Sequence, residues 1–159
     1  MADLYPVAGA KIHIGGVTAT QSTDFAESDF TGETWTEIDG WETMGSAGDS
    51  AEIISTKLIN RGRVVKQKGT RDAGDMQNNF AIIPSDAGQT ALLAAEKTTD
   101  NYAFKIVYDD MPSGGTSATT QYFVGLVTGA QEQGGGADTV RMLQSTIAIN
   151  SNIVTVAAA

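Results

Sequence analysis

Polar and apolar residues alternate one by one in at least five stretches of this sequence, and glycines separate the stretches. Successive side chains of a strand point to opposite faces, so this alternation describes sheets with one face buried and the other wet. The longest stretches lie in the second half. Residues 102–110 set Tyr102, Phe104, Ile106 and Tyr108 against Ala103, Lys105, Val107 and Asp109. Residues 122–131 follow Pro112-Ser113-Gly114-Gly115, and residues 139–150 follow Gly134-Gly135-Gly136. Two such turns between three strands predict an antiparallel meander.

The first half reads similarly but less regularly. Residues 11–14 are a short first strand, residues 16–32 a polar, acidic loop, and residues 33–38 a strand anchored by Trp35 and ended by Asp39-Gly40. A β-branched strand is expected over 51–58, and residues 63–68 are extended between Gly62 and Gly69. Residues 75–83 place Met76, Asn78, Phe80 and Ile82 on one face, with Gln77, Asn79, Ala81 and Ile83 on the other.

One segment breaks the pattern. Pro84-Ser85-Asp86 opens a helix over about 86–97, where Asp86 as N-cap and Gln89 three residues on form a capping box. Leu92, Leu93 and several alanines give it a small apolar face, so packing on a sheet must hold it. Residues 153–159 form a terminal strand or a peripheral tail, 151–159. No repeat or linker divides the chain. The expectation is a single mainly β domain over residues 1–159: two packed antiparallel sheets, a sandwich or partial barrel, with one flanking α-helix.

Composition excludes several kinds of function. The 159 residues contain no cysteine, so no disulfide, thiol nucleophile or cysteine zinc site is available. The first residues lack the basic and apolar regions of a secretory signal, and no apolar run is long enough for a membrane anchor. A soluble product made in a cytoplasm is expected. The formal charge of −9 opposes steady binding to nucleic acid. That charge is unevenly spread. Residues 1–56 hold ten acids and one cation, Lys11. Residues 57–71 then hold Lys57, Arg61, Arg63, Lys66, Lys68 and Arg71 without an acid. Residues 72–159 return to nine acids against three cations. The basic run is a solvated loop, a DNA contact, or an arm for an acidic partner, of which another copy of this chain is the nearest.

No constellation supports catalysis or a cofactor. His13, the sole histidine, sits between Ile12 and Ile14 with its ring on the opposite face, which describes a surface or interface imidazole. Gly48-Asp49-Ser50 lacks the last glycine of a nucleophile elbow, since Glu52 stands there. The glycine-rich stretches contain no phosphate loop and read as turns. Asp109-Asp110 fits no calcium loop and describes a solvated strand end.

The order of features over about residues 33–150 resembles the tail tube proteins of long-tailed bacteriophages. Carrying it are Trp35-Thr36-Glu37-Ile38-Asp39-Gly40, then Gly45 and Gly48, then Ser55-Thr56, then Lys68-Gly69-Thr70-Arg71-Asp72-Ala73-Gly74-Asp75 leading into a strand. The short helix with Gln89 and Leu92-Leu93, followed by the meander, completes it. The resemblance implies a structural, non-enzymatic subunit that forms hexameric rings, whose strands join into one inner barrel and whose rings stack into a tube. It implies transient DNA passage without sequence-specific binding, and as partners a tape measure protein, a tail terminator and baseplate or tip proteins. The implied location is the virion tail, assembled in the host cytoplasm. It also implies an arm to the adjacent ring, here residues 59–73, with Arg61 and Arg63 on one side of an extended segment, Lys66 and Lys68 likewise paired, and Arg71 beyond. Candidate lumen residues are Gln77, Asn79, Gln144 and Thr146, a polar phase alternating with core residues. Two other readings stand beside it: the tube of a related secretion or injection machine, and a surface β-sandwich serving as decoration or adhesin.

Overall fold

A computed structural model describes residues 3–159. The strands are β1 (Lys11–Val17), β2 (Thr36–Ile38), β3 (Trp41–Thr43), β4 (Ser50–Thr56), β5 (Val65–Asp72), β6 (Asp75–Ala81), β7 (Tyr102–Val107), β8 (Thr120–Gln133), β9 (Met142–Ile149) and β10 (Val154–Val156). One α-helix, α1 (Ala87–Glu96), and a 3-10 turn, Glu27–Phe30, complete the described elements. The protein is mainly β, with antiparallel sheets and one helix.

The layering follows from β8. Its 14 residues exceed the usual strand by more than twofold, because its two halves serve different neighbours. Residues from Thr120 to Gly125 pair with β7, and residues from Gly125 to Gln133 pair with β9. One layer therefore runs β2-β1-β7-β8, with β10 on the far side of β8; the other runs β8-β9-β6-β3. Ile12, Ile14, Ile38, Phe104 and Ile106 of the first layer meet Met76, Phe80, Leu143 and Ile147 of the second in one buried cluster. Alternation in the sequence sends these residues inward; the shared long strand makes the two layers one partial barrel.

The barrel closes where β2 becomes β3. Only Asp39 and Gly40 separate them, yet β2 lies in one layer and β3 in the other. Gly40 takes φ +79°, and a side chain there would collide with the Ala81 carbonyl, so glycine alone suits the corner. Helix α1 packs over it through Leu92 and Ala95, with Gly88 against the Glu37–Ile38 backbone.

The helix start departs from the capping box. The Asp86 carboxylate accepts from Gln89 N at 2.9 Å, as expected of an N-cap. The Gln89 side chain does not return to the Asp86 backbone. Buried, it accepts from Ile83 N at 3.0 Å and donates to the carbonyls of Asp39 and Ala81, both at 2.8 Å. Three backbone groups of the closing corner depend on Gln89, while the Asp86 amide needs no side-chain partner because it donates to the Ile83 carbonyl at 3.0 Å.

Other boundaries moved for identifiable reasons. Residues 16–32 are not merely loop: β1 continues to Val17, and Phe25 and Phe30 cover the outer face of β7 and β8 beside Ala103 and Val124. Trp35 precedes β2 and joins this second cluster rather than anchoring a strand. β3 pairs with β6 although its three residues are too few to display a period. Residues 139–141 belong to the turn before β9, and β10 takes the terminal-strand option by pairing with β8.

Candidate assembly interface

The wet face of the second layer is built from cross-strand pairs. Gln77 pairs with Thr146 and Asn79 with Gln144, so the four candidate lumen residues are direct neighbours on β6 and β9. Register extends both rows. Thr43 of β3 pairs with Asn79, Gln131 of β8 with Gln144, and Gly129 with Thr146. The resulting face carries hydroxyls and carboxamides around a concavity of about 500 Å³, lined also by Thr128. Behind it Asn78 and Ser145 are buried among core residues, as pairing with alternation requires.

Both borders of this layer are open strand edges. Beyond Gly125, β8 has β9 on one side and, among the described residues, no strand on the other. Among the described residues, β3 pairs only with β6. The four strands alternate in direction, so β8 and β3 run antiparallel to each other. Adding one copy's β8 beside another's β3 preserves the alternation. Such edges are templates for pairing with a further chain.

The basic segment lies in a separate two-stranded sheet, β4-β5. Lys66 and Lys68 are in β5, opposite Ser55 and Ile53. A register shift between Ala51 and Ile53 adds one residue on β5, which keeps Arg71, opposite Ala51, on the face of Lys66 and Lys68. Arg61 and Arg63 are not in an extended segment. They occupy the connection between the strands, where Arg61 N donates to the Leu58 carbonyl in a turn. The hairpin spans 50–72, longer than the 59–73 arm, because β4 supplies its first leg. Arg71 also reaches Asp49 at 3.4 Å. Charge alone hid another property of this hairpin: Ile53, Ile54, Leu58, Ile59 and Val64 are all exposed. In the sequence they are apolar and β-branched residues like those of any strand, so only a body to bury them against could have told the cases apart.

The remaining chemical candidates fall elsewhere. His13 lies on the outer face of β1, between Glu37 and Lys105 across the sheet, with Nδ1 buried and unbonded. Burial and then the Lys105 ammonium push its pKa below the ordinary value. Lys105 in turn stands 5.1 Å from the Trp35 ring centre. Ser50 opens β4, and Asp49 faces Arg71. The Asp110 carboxylate accepts from the hydroxyl and N–H of Thr119, which hold its pKa below the ordinary value, so it fastens a loop. Among the described residues no three His, Asp or Glu side chains gather as a metal site, and no helix is long and apolar enough to cross a membrane.

No protein-family model matches the sequence, and no curated protein sequence matches it at a significant level. Solved structures do. A chain from the extended-state sheath/tube terminator of the PVC extracellular contractile injection system superposes with TM-score 0.70 at 11% identity, over 98% of this chain and 99% of that one. The SPP1 tail tube gives 0.68 at 12% identity, over 94% of this chain and 78% of that one. An Hcp protein gives 0.51 at 12% identity, over 93% and 98%. At such identities the likeness is one of backbone fold over nearly the whole chain. The chain has the tail tube protein fold.

Proposed function

We propose that this chain is a non-enzymatic tube subunit that assembles with itself into hexameric rings, stacked into the channel of a phage tail through which DNA passes. The observation that carries the proposal is the second layer: four antiparallel strands, open edges on both sides, and a neutral polar face. An even number of alternating strands lets any number of copies close into a ring without a mismatched pair. Closure removes the exposed edges. Gln77, Asn79, Gln144 and Thr146 would then face the bore, where carboxamides and hydroxyls give phosphates no fixed cations to adhere to. The β4–β5 hairpin would contact the adjacent ring. Terminator, cap and baseplate components accompany the structures similar to this chain, which supports tube-end partners, with a tape measure protein as the length-setting one. The product would reside in the virion tail after assembly in the host cytoplasm.

Negative-stain microscopy of the purified chain across a concentration series tests this. Rings with a central hole, growing into tubes of uniform width, are expected. A chain that remains monomeric through the millimolar range, alone and with tube fragments as seeds, would refute it. The likeness to a contractile injection system and to Hcp favours a second reading, the tube of an injection or secretion machine. Mass spectrometry of particles from the producing cells separates the two: a phage tail places the chain in DNA-containing particles, and an injection machine in particles without DNA.

A further inference from the structure

The ladder between β1 and β2 stops early. It joins Ile14 to Thr36, His13 to Glu37 and Ile12 to Ile38. In an antiparallel pair each step back along one strand is a step forward along the other. The same register carried past Ile12 would therefore lay residues 7–10 beside β3, along the side that β6 does not occupy. The chain does not take that course. Ala10 N donates to the Val7 carbonyl at 3.0 Å and Gly9 takes φ +92°, so a turn lifts the segment off the ladder. Residues 7–10 face Trp41, Glu42 and Met44 across a groove of about 320 Å³ instead. Residues 3–9 are all exposed, with Leu4, Tyr5 and Val7 among them.

We infer that residues 3–10 are a strap poised to close on the free edge of β3, and that the strap competes for this edge with β8 of the next copy. The inference rests on the tube-subunit reading and adds the regulation of its ring closure. The sequence of the segment suits it to both positions. Ala8, Gly9 and Ala10 are small, so their backbone can come against the Trp41 ring. That ring is fixed from beneath, stacked on Phe80 at 6.4 Å and donating through Nε1 to Asn78 Oδ1 at 3.2 Å. Pro6 has no N–H to add to a ladder, which ends the closed form just past β3. Gly9 in turn holds the open form. Its left-handed backbone suits glycine alone, and a Cβ there would lie 2.6 Å from Asp109 Oδ2.

A bare strand edge pairs with whatever strand meets it, and a covering segment of the same chain prevents this. The strap reaches the edge at an effective concentration that its short tether fixes, whereas the β8 of another copy arrives in proportion to protein concentration. Dilute subunits are thus capped by their own chain. Ring closure sets in above a threshold, where β8 displaces the strap.

Cysteine is absent from the chain, so an engineered pair locks the strap without side reactions. Ala8→Cys/Glu42→Cys puts thiols on opposite walls of the groove. Oxidised below the ring threshold, this variant should lose both free thiols while keeping monomer mass. The locked monomer should then form no rings at any concentration, and reduction should restore growth to that of the same variant never oxidised. Gly9→Val needs no crosslink: its branched side chain disfavours the turn, so the threshold should rise about tenfold. Removing residues 3–8 should lower the threshold and cancel the effect of Gly9→Val. Thiols that fail to join would show that the strap does not reach β3. Locked monomers that assemble like the parent would show that it does not compete. Either result overturns the inference and leaves the tube reading intact. A parent chain that forms no ordered assembly overturns the tube reading and the competition with it, even where the lock forms in the monomer.

Discussion

Two side chains show how much depends on where a polar group is held. Gln89 bonds three backbone groups at the corner where the barrel closes, and it is almost wholly buried. Gln89→Leu strands all three and should lower unfolding stability by about 2–4 kcal/mol. Urea denaturation measures this, and a loss below about 0.5 kcal/mol would contradict the role. His13 makes a different demand. Its folded pKa lies below the ordinary value, so the unfolded chain binds the proton more readily. Its contribution is therefore fully present above about pH 6.5 and is lost as pH falls below that value. Between pH 7 and 5 the parent should lose more stability than His13→Thr. Parallel curves would rule the histidine out as a source of acid sensitivity. Asp110 acts in the same sense but only below about pH 4, so it does not blur the comparison.

Among the elements, the β4–β5 hairpin and helix α1 stand at opposite extremes. The helix is short, and its hold comes from Leu92, Ala95 and the Gln89 bonds rather than from propensity. Among the described residues, the strands of the hairpin pair only with each other. Replacing residues 52–70 with a short glycine-serine turn should therefore shift the melting temperature by less than about 5 °C while abolishing tube growth. A large fall in melting temperature would mean that the hairpin supports the body. Charge reversal is the finer cut. Arg61, Arg63, Lys66 and Lys68 changed together to glutamate should leave the fold intact and abolish or strongly slow growth. Exposed pairs contribute only about 0–1 kcal/mol each, so growth at the parent's rate in moderate salt would reduce the cations to solvated decoration.

For the assembled molecule, the decisive question is which face looks inward. The −9 charge is concentrated away from the Gln77, Asn79, Gln144 and Thr146 face, to which β6 adds Asp75 only at its end. Gln144→Cys tests its direction. In tubes with closed ends a small maleimide should label it and a dextran-linked maleimide should not, whereas both should label the monomer. Equal labelling of intact tubes by the bulky reagent would put this face outside. A neutral bore also has a functional corollary: Gln77→Lys/Gln144→Lys assemblies should retain single-stranded oligonucleotides that the parent releases, with affinity falling steeply in salt.

What the sequence determined by itself is whatever nearest neighbours decide. Alternation set which side of β6, β7 and β9 is buried, and so which residues could form the polar face, because side-chain direction along a strand is local. Asp86 capped its helix for the same reason. The tertiary structure decided what depends on distant partners. It split β8 between two layers, turned Gln89 from a cap to the barrel corner, drew Trp35 to Tyr122 and Lys105, and left the apolar residues of β4 and the hairpin tip without a body to cover them. An isoleucine in a strand looks the same in sequence whether a core or another molecule will bury it. Only the arrangement of the whole chain shows that, for Ile59, no core is there.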